Sequence, residues 1–176
     1  MNKAIFLDRD GTINEDRHYV HLKSDFAFLP QAPEAIKLLR SKGYLVIVVS
    51  NQSGVARGLF SIDDVESLNG FMRSELQRHG AEIDGIYYCP HLPDGTVSEY
   101  AQQCRCRKPG ALLFERAISE YRINAEHSYA VGDKLRDLEP GKKLGMNTAL
   151  ISKEARTSNI VDAVYESLFG FASAIE

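Results

Sequence analysis

A chain of 176 residues is long enough for one well-buried core and short for two domains of ordinary size, so the sequence is read as a single domain over residues 1–176. With 44% hydrophobic and 26% charged residues it has the composition of a globular protein, and a net charge of -3 gives no electrostatic reason to bind nucleic acid or an anionic membrane. Only Ala4 to Leu7 are apolar before charges arrive, which excludes a signal-peptide core or a membrane span at the start; the expectation is a cytoplasmic protein, monomeric by default, acting on a small molecule.

In chain order, residues 3–8 form a short apolar run ending in acid, and residues 44–50 ("YLVIVVS") are an unbroken β-branched run of the kind buried on both faces of a parallel sheet. Further strands are predicted over 83–88, 128–132 and 147–151, five in all. Helical periodicity covers 33–42, stopped by Gly43, and 61–79, where Ile62, Val65, Leu68, Met72 and Leu76 recur at steps of three or four. Ser61 followed by Asp64 reads as an N-cap with an acid in the first turn, and Gly80 as a stop. Helices are also predicted over 111–121 and 160–171, while Pro140-Gly141 shortens or kinks one over 135–144. Strands alternating with helices imply a three-layer, doubly wound (Rossmann-like), mostly parallel α/β sheet, in which ligands gather at the carboxyl ends of the strands.

The residues at those ends are Asp8-Arg9-Asp10-Gly11-Thr12, Ser50-Asn51-Gln52-Ser53-Gly54 and Gly132-Asp133-Lys134, with Asp137 four residues after Asp133. Any one carboxylate there can simply cap the next helix. Their convergence on one edge with a hydroxyl and a lysine is harder to explain so. Clustered carboxylates call for a cation, and oxygen ligands with room for water suit Mg²⁺. Such a cation beside a carboxylate, a hydroxyl and a lysine suits phosphoryl transfer, for which an aspartyl-phosphate is a known route.

Every cysteine lies in residues 87–110, "YYCPHLPDGTVSEYAQQCRCRKPG". Three cysteines are a poor disulfide framework, so the cluster reads as a metal site, a reactive thiol or buried packing. Cys89 and His91 are two apart, as are Cys104 and Cys106: two pairs that match the closed tetrahedral ligand set of a structural Zn²⁺. The twelve residues between them, from Leu92 to Gln103, have little apolar periodicity to order themselves, and no separate His and acid stand ready to activate a thiol. A zinc loop is therefore expected over residues 89–106.

Taken together and in order, "DRDGT", "SNQSG", "CRKP" and "GDK" with a following Asp resemble the four motifs of the haloacid dehalogenase superfamily phosphatases, across residues 8–137. The resemblance implies Asp8 as nucleophile, Asp10 as general acid and base, Ser50 and Lys108 as groups holding the phosphoryl oxygens, and Mg²⁺ held by Asp8, Asp133 and the Asp10 backbone carbonyl. Two groups in that superfamily carry such a zinc loop, the histidinol-phosphate phosphatases and the heptose-bisphosphate phosphatases. The twelve-residue gap, "HYVH", "NQSGVARG" and "DGIYYCPHLPDG" are similar to the latter. That similarity implies a sugar bisphosphate substrate contacted by Asp16, Arg17, His18, Tyr19, Ser50, Asn51, Gln52, Ser53, Arg107, Lys108 and Lys134, no separate cap domain, and a step toward nucleotide-activated heptose for the lipopolysaccharide core. Arg107 has the planar fork suited to the phosphate that does not react. The chain departs from the group's C-R-K-P-x-P-G pattern, since Gly110 follows Pro109 directly. Phospho-acceptor receiver domains, the alternative of another class, place their phosphorylated acid on a later strand and lack both the first-strand D-x-D-G-T and the zinc loop.

Overall fold

The computed structural model describes residues 1–154 and 158–176. Among these, six strands form one sheet: β1 (Lys3–Leu7), β2 (Tyr44–Asn51), β3 (Gly85–Cys89), β4 (Tyr129–Gly132), β5 (Asn147–Ile151) and β6 (Ala163–Tyr165). Their order is β3-β2-β1-β4-β5-β6, with every pairing parallel. The helices are α1 (Ala32–Ser41), α2 (Ile62–Arg78), α3 (Leu112–Tyr121), α4 (Leu135–Lys143) and α5 (Leu168–Ala174). No helix among the described residues is long and apolar enough to cross a membrane.

The three layers follow from the alternation of side chains along the strands. Ile5 and Leu7, with Val46 and Val48, face a core completed by Ile36 and Leu39 of α1, Met72 and Leu76 of α2, and Phe171 of α5. Ala4 and Phe6, with Ile47 and Val49, face the opposite core against Leu113, Phe114 and Ala117 of α3, where the Phe6 and Phe114 rings stack with centroids 4.7 Å apart. Strands buried on both faces are why the sequence reads as continuous apolar runs. Strand order reverses between β1 and β4, which opens a crevice at their carboxyl ends. Asp8 starts there, its N–H donating to the Val131 carbonyl at 3.1 Å.

Ser61 caps α2 as expected: its Oγ accepts from the Asp64 N–H at 3.1 Å, and its own N–H donates back to the Asp64 carboxylate at 2.8 Å. Two expectations are corrected. Residues 160–171 are not one helix. Asp162 Oδ2 accepts from the Thr148 N–H and hydroxyl at 2.9 and 3.0 Å, which fixes this segment to the start of β5. The chain then adds a sixth strand, with Leu150 opposite Val164, before Ser167 caps a shorter α5. A short apolar run fits either period, and here long-range pairing decides.

The shortening expected at Pro140-Gly141 also does not occur: α4 continues through both to Lys143. A Cβ on Gly141 would sit 2.3 Å from the Ala130 Cβ, so glycine is what lets this helix lie on β4. Gly141→Ala should therefore destabilise the protein by about 1–3 kcal/mol, overpacking outweighing the roughly 1 kcal/mol gain in helix propensity. Gly70→Ala in α2, with open space around its Cβ, should stabilise by about 0.5–1 kcal/mol. Urea unfolding midpoints of the two variants should move in opposite directions, and a shift of the same sign would contradict this packing.

Candidate active site

At the carboxyl edge of the sheet, a cavity of about 410 Å³ is lined by Asp8, Asp10, Asp16, His18, Tyr19, Asn51, Gln52, Ser53, Arg107, Lys108 and Lys134 of the predicted set, together with Arg57, Arg136 and Asp137. Segments from the ends of β1, β2 and β4 and the cysteine-containing loop thus meet at one place. Ser50 lies just beneath, 1% exposed, its Oγ accepting from Gln52 Nε2 at 3.2 Å. Arg17 is outside the lining and pairs with Glu15 at 2.6 Å.

Lys108 is the centre of the arrangement. It is 3% exposed, and its ammonium lies 2.8 Å from Asp8, 2.8 Å from Asp137 and 2.7 Å from the Val49 carbonyl. Burial works against the charged ammonium, but Asp8 and Asp137 more than offset it and hold Lys108 above the usual lysine range. The shorter loop after Lys108 does not displace it, because Asn51 clamps its peptide from both sides. Asn51 Oδ1 accepts from the Lys108 N–H at 2.9 Å, and Nδ2 donates to its carbonyl at 3.0 Å.

Asp8 experiences the other side of this balance. Burial pushes its carboxyl up to about 7, partly countered by Lys108 and reinforced by Asp137 and Asp10. Two carboxylates share one ammonium, which leaves a net negative charge around it. The carboxylate oxygens of Asp8, Asp133 and Asp137 lie within 4.8 Å of one another, and Asp133 Oδ1 is buried with no hydrogen-bond partner, so the donor set suits a hard cation. Gly11 permits this approach: it has φ +87°, and a Cβ there would meet Asp133 Oδ2 at 2.5 Å.

Asp10 is held separately. Arg9, 1% exposed, lies beneath it, with NH2 3.1 Å from Asp10 Oδ2 and 3.0 Å from the Val20 carbonyl, and NH1 3.2 Å from Asn69 Oδ1. Asn14 and Gln52 donate to the same carboxylate at 2.9 and 3.1 Å. On the facing loop, His18 and Tyr19 are both left-handed, φ 59° and 57°, with the His18 N–H donating to Asp16. Lys134 pairs with Asp16 at 3.1 Å, tying that loop to the end of β4.

Sequence reasoning gave no role to Arg9, Arg57 or Arg136, and noted Asp137 without a function. The spacing from Asp133 was a signal for Asp137. Arg9 had none, since its partners Val20 and Asn69 are remote in sequence.

The four cysteine and histidine side chains also converge. Sγ of Cys89 is 3.5 Å from His91 Nδ1, 3.5 Å from Cys104 Sγ and 3.0 Å from Cys106 Sγ, while Cys106 is 3.2 Å from His91 and 3.4 Å from Cys104. All three thiols are free, since a disulfide bond measures about 2.05 Å. A compact group of three sulfurs and one ring nitrogen fits a single soft, four-coordinate cation.

With this geometry in view, comparison with known proteins places the chain. A family model described as "HAD-hyrolase-like" matches residues 105–167. A D-glycero-beta-D-manno-heptose-1,7-bisphosphate 7-phosphatase of Haemophilus ducreyi is 46% identical over 155 residues, 88% of this chain and 85% of the relative. The chain belongs to the heptose 1,7-bisphosphate 7-phosphatase family, within the haloacid dehalogenase superfamily. The Haemophilus influenzae enzyme of the same name is 42% identical across 96% of this chain and 94% of its own. The crystal structure of the D,D-heptose 1,7-bisphosphate phosphatase from B. bronchiseptica, complexed with magnesium and phosphate, superposes with a TM-score of 0.85 at 30% identity, covering 97% of this chain and 96% of that one. The chain is accordingly a phosphatase, a phosphoric monoester hydrolase, of the cap-less kind.

The excess negative charge at Asp8 gives a test in metal-free protein. Because the folded-state carboxyl is raised to about 7 from 3.8, the native protein holds a proton that the unfolded chain has lost, and stability from this group falls as pH rises through that interval. Asp8→Asn should match wild type near pH 4 and exceed its Tm by about 5 °C or more at pH 8. A pH-independent difference would contradict the assigned burial.

Proposed function

We propose that this enzyme removes the 7-phosphate of D-glycero-D-manno-heptose 1,7-bisphosphate by way of an aspartyl-phosphate on Asp8. The observation that supports this most directly is the pair of differently held carboxylates at one mouth: Asp8 fixed by Lys108, and Asp10 fixed by Arg9, Asn14 and Gln52. Asp8 Oδ1 is engaged by Lys108, which leaves its other oxygen to attack phosphorus. As the P–O ester bond breaks, Asp10 protonates the leaving sugar oxygen. Asp10 then takes a proton from the water that attacks the acyl phosphate, and inorganic phosphate leaves with Asp8 regenerated. Lys108 and the Ser50 hydroxyl stabilise the charge on the transferring oxygens. Asp8, Asp133 and the Asp10 backbone carbonyl would hold Mg²⁺, which when bound supplies positive charge against those oxygens.

The Cys89, His91, Cys104 and Cys106 group would hold a structural Zn²⁺ that pins residues 89–106 and so places Arg107 and Lys108. Arg107, at the cavity lining, would receive the phosphate on carbon 1, with His18, Tyr19, Asn51, Ser53 and Lys134 around the sugar. The names of the relatives favour the β anomer. Such a reaction supplies a heptose 1-phosphate for nucleotide activation toward the lipopolysaccharide core, in a cytoplasm reducing enough to keep the thiols free.

Phosphate release from both anomers of heptose 1,7-bisphosphate, with histidinol phosphate alongside and Mg²⁺ present, checks the substrate. The β bisphosphate is expected to be turned over selectively, and preference for histidinol phosphate would reject it. Asp8→Asn is expected to lose turnover by at least about 10³-fold with its fold and zinc content intact. Cys104→Ser should lose bound zinc, measured by elemental analysis, and activity together; an active, zinc-free variant would remove the metal from this role.

A further inference from the structure

The charges that line the cavity do not all find partners within it. Asp8 and Asp137 are taken by Lys108, Asp10 by Arg9, and Asp16 by Lys134. This leaves the guanidinium groups of Arg57, Arg107 and Arg136, none of which pairs with a carboxylate among the described residues. They come from three separate segments: the turn after β2, the end of the cysteine-containing loop and the first turn of α4.

We infer that Arg57 and Arg136 join Arg107 in a three-guanidinium seat for the phosphate that is not cleaved, and thereby set the enzyme's preference for a bisphosphorylated sugar. This rests on the substrate class proposed above and extends its recognition beyond Arg107.

Each arginine stands where it is poorly satisfied without an anion. Arg136 is in the first turn of α4, where a cation opposes the helix dipole. Arg57 has its guanidinium 6.0 Å from the centre of the Tyr19 ring, which keeps its fork free. Arg107 makes one weak side-chain contact, NH1 to the His91 carbonyl at 3.3 Å. All three guanidinium groups line the same cavity of about 410 Å³, where their like charges face one space and repel. A phosphate dianion relieves that repulsion, and its several oxygens can receive more than one planar fork. Because the seat is built from side chains other than Asp8 and Asp10, it contributes binding energy and specificity, with no part in the bond-making steps.

Arg57→Ala, Arg136→Ala and the double variant should each be assayed on heptose 1,7-bisphosphate and on p-nitrophenyl phosphate, which has no second phosphate. Each single change is expected to lower kcat/KM for the bisphosphate about ten- to a hundredfold, mainly through KM, and to leave p-nitrophenyl phosphate turnover unchanged. Arg136→Lys should recover part of the loss. An equal fall on both substrates, or no fall on either, would overturn the seat. Should wild-type enzyme not act on the heptose bisphosphate, the proposed substrate fails, and the seat is then judged by inhibition of p-nitrophenyl phosphate hydrolysis. Fructose 1,6-bisphosphate should inhibit more strongly than fructose 6-phosphate, with that advantage lost in the double variant; equal inhibition of wild type by the two sugars would overturn it.

Discussion

A buried ammonium shared by two carboxylates is the constraint on which the rest of the site depends. Lys108, between Asp8 and Asp137, is cut off from solvent, so its charge depends on those two carboxylates to offset the cost of burial. The groups that meet there come from the end of β1, the first turn of α4 and the stretch after the cysteines, so the pairing joins regions that are remote in sequence. Asn51 at the end of β2 adds a fourth by gripping the Lys108 peptide. The arrangement exists because β1 and β4 are adjacent where the strand order reverses, which brings Asp8 and the start of α4 together.

This interaction leaves the floor of the cavity electron-rich and its rim electron-poor. One ammonium against Asp8 and Asp137, with Asp133 close by, suits a cation below the transferring phosphoryl group. Asp10 is kept apart by its own buried arginine and two amides, so two carboxylates of the same motif have different surroundings and can take different roles. The same cavity carries arginines that pair with no carboxylate among the described residues.

The stretch that contains all three cysteines links floor and rim. Arg107 and Lys108 are consecutive, yet Lys108 is buried against Asp8 while Arg107 lies at the upper wall with its fork toward the His91 carbonyl. Neighbours that diverge so sharply need a fixed backbone. The convergence of Cys89, His91, Cys104 and Cys106 immediately before them is a feature that can provide it, beside the contacts that tie Val97 to Ala56 and Leu92 to Tyr100.

The sequence by itself determined the parts of this protein that depend on local pattern. Apolar runs marked the first five strands, Ser61 and Asp64 marked the start of α2, and the motif residues from Asp8 to Asp133 marked the carboxyl edge, because strand burial, capping and strand-end chemistry each leave a signature within a few residues. Tertiary structure alone decided what long-range contact governs. Residues 160–171 became a strand and a short helix because Thr148 and Asp162 lock that segment to β5, and α4, which runs through Pro140, lies against β4 because Gly141 fits onto Ala130. Arg9 acquired its place from Val20 and Asn69, and Arg57 and Arg136 acquired theirs from the cavity. A lone arginine carries no periodic signal, and which anion or carboxylate it faces is fixed only when distant segments pack together.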